Sequence, residues 1–216
     1  HDFIRGNGSF KRTLKASKQL LKNYIQPVFS FTLHDKNATD LIPLIKMLAN
    51  ELPSFLFAFD FLVCEGEKNF ENRLTAQQIL TIFENYLQLK KELKKDKTFI
   101  KLIEKSHLFS AYHNIMDNFE YATGSYSYIG GCYNGFSSLA VLANGDIMPC
   151  RRLNITIGNY MESSFEDIFL NNLLMRKFRR KAFFTGCANC EQYMICRGCP
   201  AISYGESNNL FGKPST

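Results

Sequence analysis

Residues 9 to 24 place Phe10, Leu14, Leu21 and Tyr24 at helical spacing behind the flexible "GNG", with Ser9 available as an N-cap, which predicts an amphipathic helix. The pattern then changes period. "PVFSFTLH" at 27 to 34 is rich in β-branched and aromatic residues and is bounded by Pro27 and the polar "DKN", so it predicts a strand. From about residue 39 the helical period returns, with Leu41, Leu44, Ile45, Leu48 and Leu52 on one side and Pro43 close enough to the start to be tolerated. "SFLFAFDFLV" follows and reads as a buried strand apolar on both faces. Helix, strand, helix, strand, joined in a few residues, predicts βα units with a parallel sheet. Two strands cannot cover two faces, so further strands are expected from outside this sequence.

From Thr75 a longer helix is predicted by a Thr-x-x-Gln capping box and apolar residues at 79, 82, 83, 86, 87, 89 and 93. "YATGSYSYIGG" at 121 to 131 reads as a loop. After it, "SLAVLANGDIMPC" predicts a hairpin, with Asn144-Gly145 as a type I′ turn between apolar runs. No internal repeat or low-complexity stretch interrupts the chain.

Composition narrows the class. With 216 residues, 45% hydrophobic and 21% charged, the chain has material for one larger or two small globular domains. Its longest apolar run, "FLFAFDFLV", contains Asp60 and falls far short of the ~20 residues that span a bilayer. No charged-then-apolar export segment opens the chain, so a cytoplasmic location without a membrane partner is expected. The net charge of +6 rests on "KKELKKDK" and "RKFRRK", read as solvated helix faces; nucleic acid is not expected as a partner on this reading.

The seven cysteines change the picture most. Cys132 and Cys150 flank the hairpin as C-x12-G-x4-C, and the end of the chain reads Cys187-x2-Cys190-x5-Cys196-x2-Cys199. A chain this large does not need stapling, so metal ligation is favoured over disulfides. Zinc is one option, with 187, 190, 196 and 199 as one site. Zinc ribbons separate their knuckles by about 15 to 20 residues, however, and such a site leaves Cys132 and Cys150 unused. Soft thiolates in this number fit iron–sulfur clusters better.

These spacings, together with "CRRL", "IGN", "SFEDIF" and "CRGCPA", resemble the SPASM domain of radical S-adenosylmethionine (SAM) enzymes. "HDFIRGNGSFKRTLKA", "FTLHDKN" and "FDFLVCEGE" resemble the later strands of the radical SAM partial barrel. The resemblance implies an α/β fold: residues 1–68 as the C-terminal part of a partial (β/α)6 barrel, 69–120 as a helical connection and 121–216 as the auxiliary-cluster domain. It also implies two auxiliary [4Fe-4S] clusters with interleaved ligands, Cys132, Cys150 and Cys199 for one and Cys187, Cys190 and Cys196 for the other. A fourth ligand for each is not visible in the sequence, and the second cluster's is expected beyond Thr216. The C-x3-C-x2-C motif that binds the SAM-cleaving cluster is absent, so the chain reads as the C-terminal portion of a longer enzyme.

The same resemblance puts Arg5 at the SAM carboxylate, a role suited to a fork of donors, and Leu62 at the adenine through its backbone. A surface arginine and plain core packing are the competing readings. Cys64, remote from the ligand motifs, reads as a small buried hydrophobe. Of the four histidines, His34 at a strand end is the one to watch. In SPASM enzymes that oxidise a sulfatase, an aspartate follows the cysteine corresponding to Cys150; here Arg151 stands there, and a guanidinium cannot act as that base. The expected function is therefore maturation of a ribosomally made peptide or protein, with a flavodoxin or ferredoxin as electron donor. Tetrapyrrole or quinone-cofactor formation is the enzyme alternative, and a zinc-dependent module binding nucleic acid or protein is the non-enzyme one.

Overall fold

The computed structural model describes residues 1–63, 74–95, 99–103, 105–116 and 131–213. The chain divides into two compact units, one of His1–Leu62 with Gln77–Lys105 and the other of Val63–Ala76 with Ser106–Thr216. Cys64, read from sequence as a buried hydrophobe, lies outside the described residues, as does the 121 to 130 part of the predicted loop.

The first unit opens with a short helix, α1 (Asp2–Arg5), and a longer one, α2 (Ser9–Lys22). The residue at the helix cap is Gly8 rather than Ser9, because Asp2 supplies the acceptors. Its carboxylate takes the Gly8 and Phe10 amides at 2.7 Å each and the Ser9 hydroxyl at 3.0 Å. These amide bonds lead the interactions that hold the Asp2 carboxyl below its usual range. Capping a helix from six residues upstream folds the "GNG" stretch into a tight loop, with Gly8 at φ +72°.

Strands β1 (Val28–Leu33), β2 (Ser54–Phe61) and β3 (Phe99–Ile103) form a parallel sheet in the order β1-β2-β3, with Val28 opposite Leu56 and Ser54 opposite Phe99. The third strand corrects the expectation that all further strands come from outside. "FIKLI" alternates over five residues, burying Ile100 and Leu102, and follows closely on the basic run "KKELKKDK". Helices α3 (Leu41–Glu51) and α4 (Ala76–Lys95) flank the strands. Phe59 packs edge-on against Tyr86 and Phe61 against Phe83, while the Tyr86 hydroxyl donates to the Phe57 carbonyl, fastening α4 to the sheet.

β2 is not equally apolar on its two faces. Phe55, Phe57, Phe59 and Phe61 share one buried face, whereas Ser54, Leu56, Ala58 and Asp60 share the other. On that second face Ser30, Thr32 and Lys101 are exposed in the neighbouring strands. The described residues make no closed barrel.

The second unit contains α5 (His107–Met116), three short antiparallel strands, β4 (Ala140–Val141), β5 (Asp146–Met148) and β6 (Gly158–Asn159), and the helices α6 (Phe165–Asn171), α7 (Leu173–Phe178), α8 (Tyr193–Cys196) and α9 (Pro200–Ser207). Its core includes Ile147, Leu153, Ile157, Met175, Phe178, Tyr193 and Cys199. The hairpin is present, but its turn is not type I′. Asn144 keeps a negative φ and only Gly145 is left-handed, at +90°. The Gly145 amide donates to Leu142 at 3.0 Å and the Leu142 amide to Asp146 at 2.8 Å, which makes a three-residue loop closed by a left-handed glycine. Asn144 fits this shape because its side-chain oxygen accepts the Asp146 amide.

"RKFRRK" is not simply a solvated face. The Arg179 guanidinium donates to the carbonyls of Gly135, Leu170 and Phe169 and lies 4.7 Å over the Phe169 ring. No helix among the described residues is long and apolar enough to cross a membrane.

Candidate iron–sulfur site

All six predicted cysteine ligands lie in the second unit, and two backbone features bear on their placement. The first is the turn between α8 and α9. Cys196 ends α8, Arg197 and Gly198 are both left-handed at φ +59° and +65°, and Cys199 precedes Pro200 at the head of α9. Two left-handed residues in succession make a tight turn between Cys196 and Cys199. The second is Gly131, at φ +87°. A Cβ there would fall 2.6 Å from both the Cys196 carbonyl carbon and the Ile195 carbonyl oxygen. Glycine lets Cys132 approach the turn, where its amide donates to the Cys196 carbonyl at 3.2 Å.

Burial leads the shift of four of the thiols, and neighbouring groups add to it or oppose it. Burial, then Cys199, push the Cys132 thiol up to about 12; Cys150 adds to this, while the Asn134 amide and Arg197 pull it down. Cys199 is raised by burial and by Cys150, against Arg152 and the amides of Ile202 and Ala201. Cys196 is pushed by burial to about 11, with Cys187, Cys190 and Cys199 adding and the Gly198 amide opposing. Cys187 is raised by burial and Cys190, and lowered by Lys213. Cys132 thus feels Cys199 and Cys150, and Cys196 feels Cys187, Cys190 and Cys199.

All six are free thiols, Cys199 buried and Cys190 exposed. Among the described residues no three His, Cys, Asp or Glu side chains converge tightly enough to hold one metal ion. The thiolates of a cluster stand wider, since each binds a different iron. The donor set otherwise suits such a group: soft sulfur ligands, amides turned toward the sulfurs of Cys132, Cys196 and Cys199, and thiols that bound metal would deprotonate.

Two arginines that the sequence did not single out serve this site. Arg197, 3% exposed, donates to the carbonyls of Cys132, of Asn134 at 3.3 Å and of Phe178 at 3.4 Å, with its guanidinium 3.9 Å over the Phe136 ring. Arg152 lies with its amide 3.4 Å from the Cys150 sulfur and its guanidinium 3.9 Å from the Cys199 sulfur. Arg151, the residue noted from sequence, is exposed.

The other predicted residues lie in the first unit. Arg5 ends α1 and is exposed. Leu62 follows β2, is 36% exposed, and donates its amide to Leu33 at 2.9 Å, extending the ladder. His34 follows β1, where its amide donates to Asn37 and its ring lies 3.7 Å from Asp35, a turn-capping position.

Residues 132–200 match the family described as SPASM, an iron–sulfur cluster-binding domain. The chain is 26% identical over 216 residues to the AdoMet-dependent heme synthase of Methanosarcina barkeri, covering 97% of this chain and 61% of that protein. It is 26% identical over 171 residues to the sporulation killing factor maturation protein SkfB of Bacillus subtilis, covering 78% of this chain and 37% of that protein. Among solved structures, Streptococcus suis SuiB bound to S-adenosylmethionine superposes with a TM-score of 0.66 at 19% identity, over 95% of this chain and 48% of that one. The chain thus spans under two thirds of these relatives' lengths.

Proposed function

This chain belongs to the radical SAM/SPASM family, whose cofactors are [4Fe-4S] clusters and SAM, and from that premise we propose that it carries the auxiliary-cluster part of a peptide or protein maturase. The observation behind the proposal is the match of residues 132–200 to the SPASM iron–sulfur family, in a unit that carries six free thiols, with the Arg152 guanidinium 3.9 Å from the Cys199 sulfur. In this reading Cys132, Cys150 and Cys199 hold one cluster, and Cys187, Cys190 and Cys196 hold the other. Bound SAM supplies hydrogen abstraction from the substrate, and the clusters supply a one-electron sink or a site for a substrate thiolate.

The chain's own residues hold this site in place. Arg197 pins the Cys132 segment to the turn, and Gly131 keeps that approach short. In the first unit, Arg5 is assigned to the SAM carboxylate and Leu62 to the adenine. The substrate is a peptide or protein, with a flavodoxin or ferredoxin delivering electrons; the likeness to a maturation protein over 78% of the chain supports this. Tetrapyrrole chemistry is the second reading, favoured by the likeness to a heme synthase over 97% of the chain.

The test uses the full-length protein with clusters rebuilt anaerobically, SAM and a chemical reductant. Candidate precursor peptides and iron-free and iron-loaded tetrapyrrole carboxylic acids are supplied in parallel. A peptide that loses two hydrogens by mass, with 5′-deoxyadenosine formed in step, is the expected result. Turnover confined to the tetrapyrroles would overturn the peptide reading in favour of the second.

A further inference from the structure

The geometry points to Arg152 as a residue that tunes the cluster held by Cys132, Cys150 and Cys199, raising its reduction potential and leaving the other cluster's unchanged. The inference rests on the two-set assignment above. Arg152 spans two sulfurs of one set: its amide faces the Cys150 sulfur at 3.4 Å and its guanidinium the Cys199 sulfur at 3.9 Å. The third member, Cys132, has the Arg197 guanidinium on its own carbonyl. In the other set, the cation felt by Cys187 is Lys213, and Cys190 is exposed to water.

This placement acts against burial. Adding one electron to a cluster makes the thiolate shell more negative, and dry surroundings resist that added charge. Cys199 is only 4% exposed, so burial alone would make its cluster hard to reduce. A guanidinium and an amide directed at the sulfurs favour the reduced form, and both act more strongly in the same dry surroundings. An arginine keeps its charge at every working pH, so the bias is constant.

The experiment is a potentiometric titration followed by electron paramagnetic resonance, with dithionite as the reductant. The full-length protein is used in two backgrounds: Cys190→Ala, which keeps the Cys150 cluster, and Cys150→Ala, which keeps the Cys190 cluster. Arg152→Gln is expected to lower the midpoint in the first background, raising the oxidised-to-reduced ratio at fixed potential by about tenfold, and to leave the second unmoved. Arg152→Lys, which keeps the charge, is expected to recover much of the shift. An unmoved midpoint in the first background, or equal shifts in both, would overturn the proposal. So would loss of that cluster's iron in both variants, which would make Arg152 a holder of ligands rather than a tuner. Absence of cluster signals in the unsubstituted protein would instead refute the two-set assignment itself.

Discussion

Replacing Arg197 by Met tests the packing logic of the site most sharply. The substitution keeps an unbranched side chain but removes every donor, leaving the carbonyls of Cys132, Asn134 and Phe178 without this partner. Each bond from a charged donor is worth about 1.5–3 kcal/mol, and stacking on Phe136 adds about 1 kcal/mol. Against that sum stands the desolvation of a 3% exposed guanidinium, several kcal/mol that the variant regains. The net loss works out at about 3 kcal/mol. With a urea slope of about 2 kcal/mol/M, the unfolding midpoint of the metal-free protein should fall by about 1.5 M. The left-handed backbone at 197 strains Met as it does Arg, so that cost cancels. Arg197→Lys, which reaches fewer acceptors, should fall between the two. A drop below about 1 kcal/mol for Arg197→Met would mean that the buried charge costs nearly as much as its bonds return, and would refute this reasoning.

Gly131→Ala should destabilise by about 2–4 kcal/mol, combining a left-handed backbone with a Cβ forced against the Cys196 carbonyl; thermal unfolding checks it, and a neutral result would mean the loop shifts freely. Asp2→Asn should weaken the first unit at neutral pH. Because the Asp2 carboxyl is lowered, its contribution is complete above its ordinary value of 3.8 and fades as pH falls below that, so wild-type and variant stabilities should converge in acid. Arg5→Ala in the full-length enzyme should weaken SAM binding by about tenfold, measured by calorimetry; unchanged affinity would make Arg5 a surface residue.

Much of this arrangement was legible in the chain because it follows from period and spacing. α2, α3, α4, β1 and β2 all lie where hydrophobic recurrence puts them, within a few residues. β3 was missed although "FIKLI" alternates, since five residues behind a run of lysines carry little weight by pattern alone. The hairpin turn differs from the expected one because Asn-Gly serves both two-residue and three-residue loops, and register decides between them: Val141 pairs with Ile147 and the Leu142 amide bonds Asp146, leaving three residues, 143 to 145, in the loop. The cysteines were found by count and spacing. Arg152, Arg179 and Arg197 were not, because what makes them matter is where a side chain ends after the fold has formed. A left-handed arginine between two cysteines has no periodic signature, and its three carbonyl partners lie 19 to 65 positions away in sequence.

The central claim is that one turn sends its cysteines to two separate clusters. It is tested most directly by iron and acid-labile sulfide content with Mössbauer spectra on the full-length protein, comparing wild type with Cys190→Ala and Cys150→Ala after anaerobic purification. Each substitution should remove the iron of one auxiliary [4Fe-4S] cluster and spare the other, so that the two variants lose different spectral components. Near-stoichiometric zinc without sulfide, or the loss of all auxiliary-cluster iron from either single substitution, would contradict it.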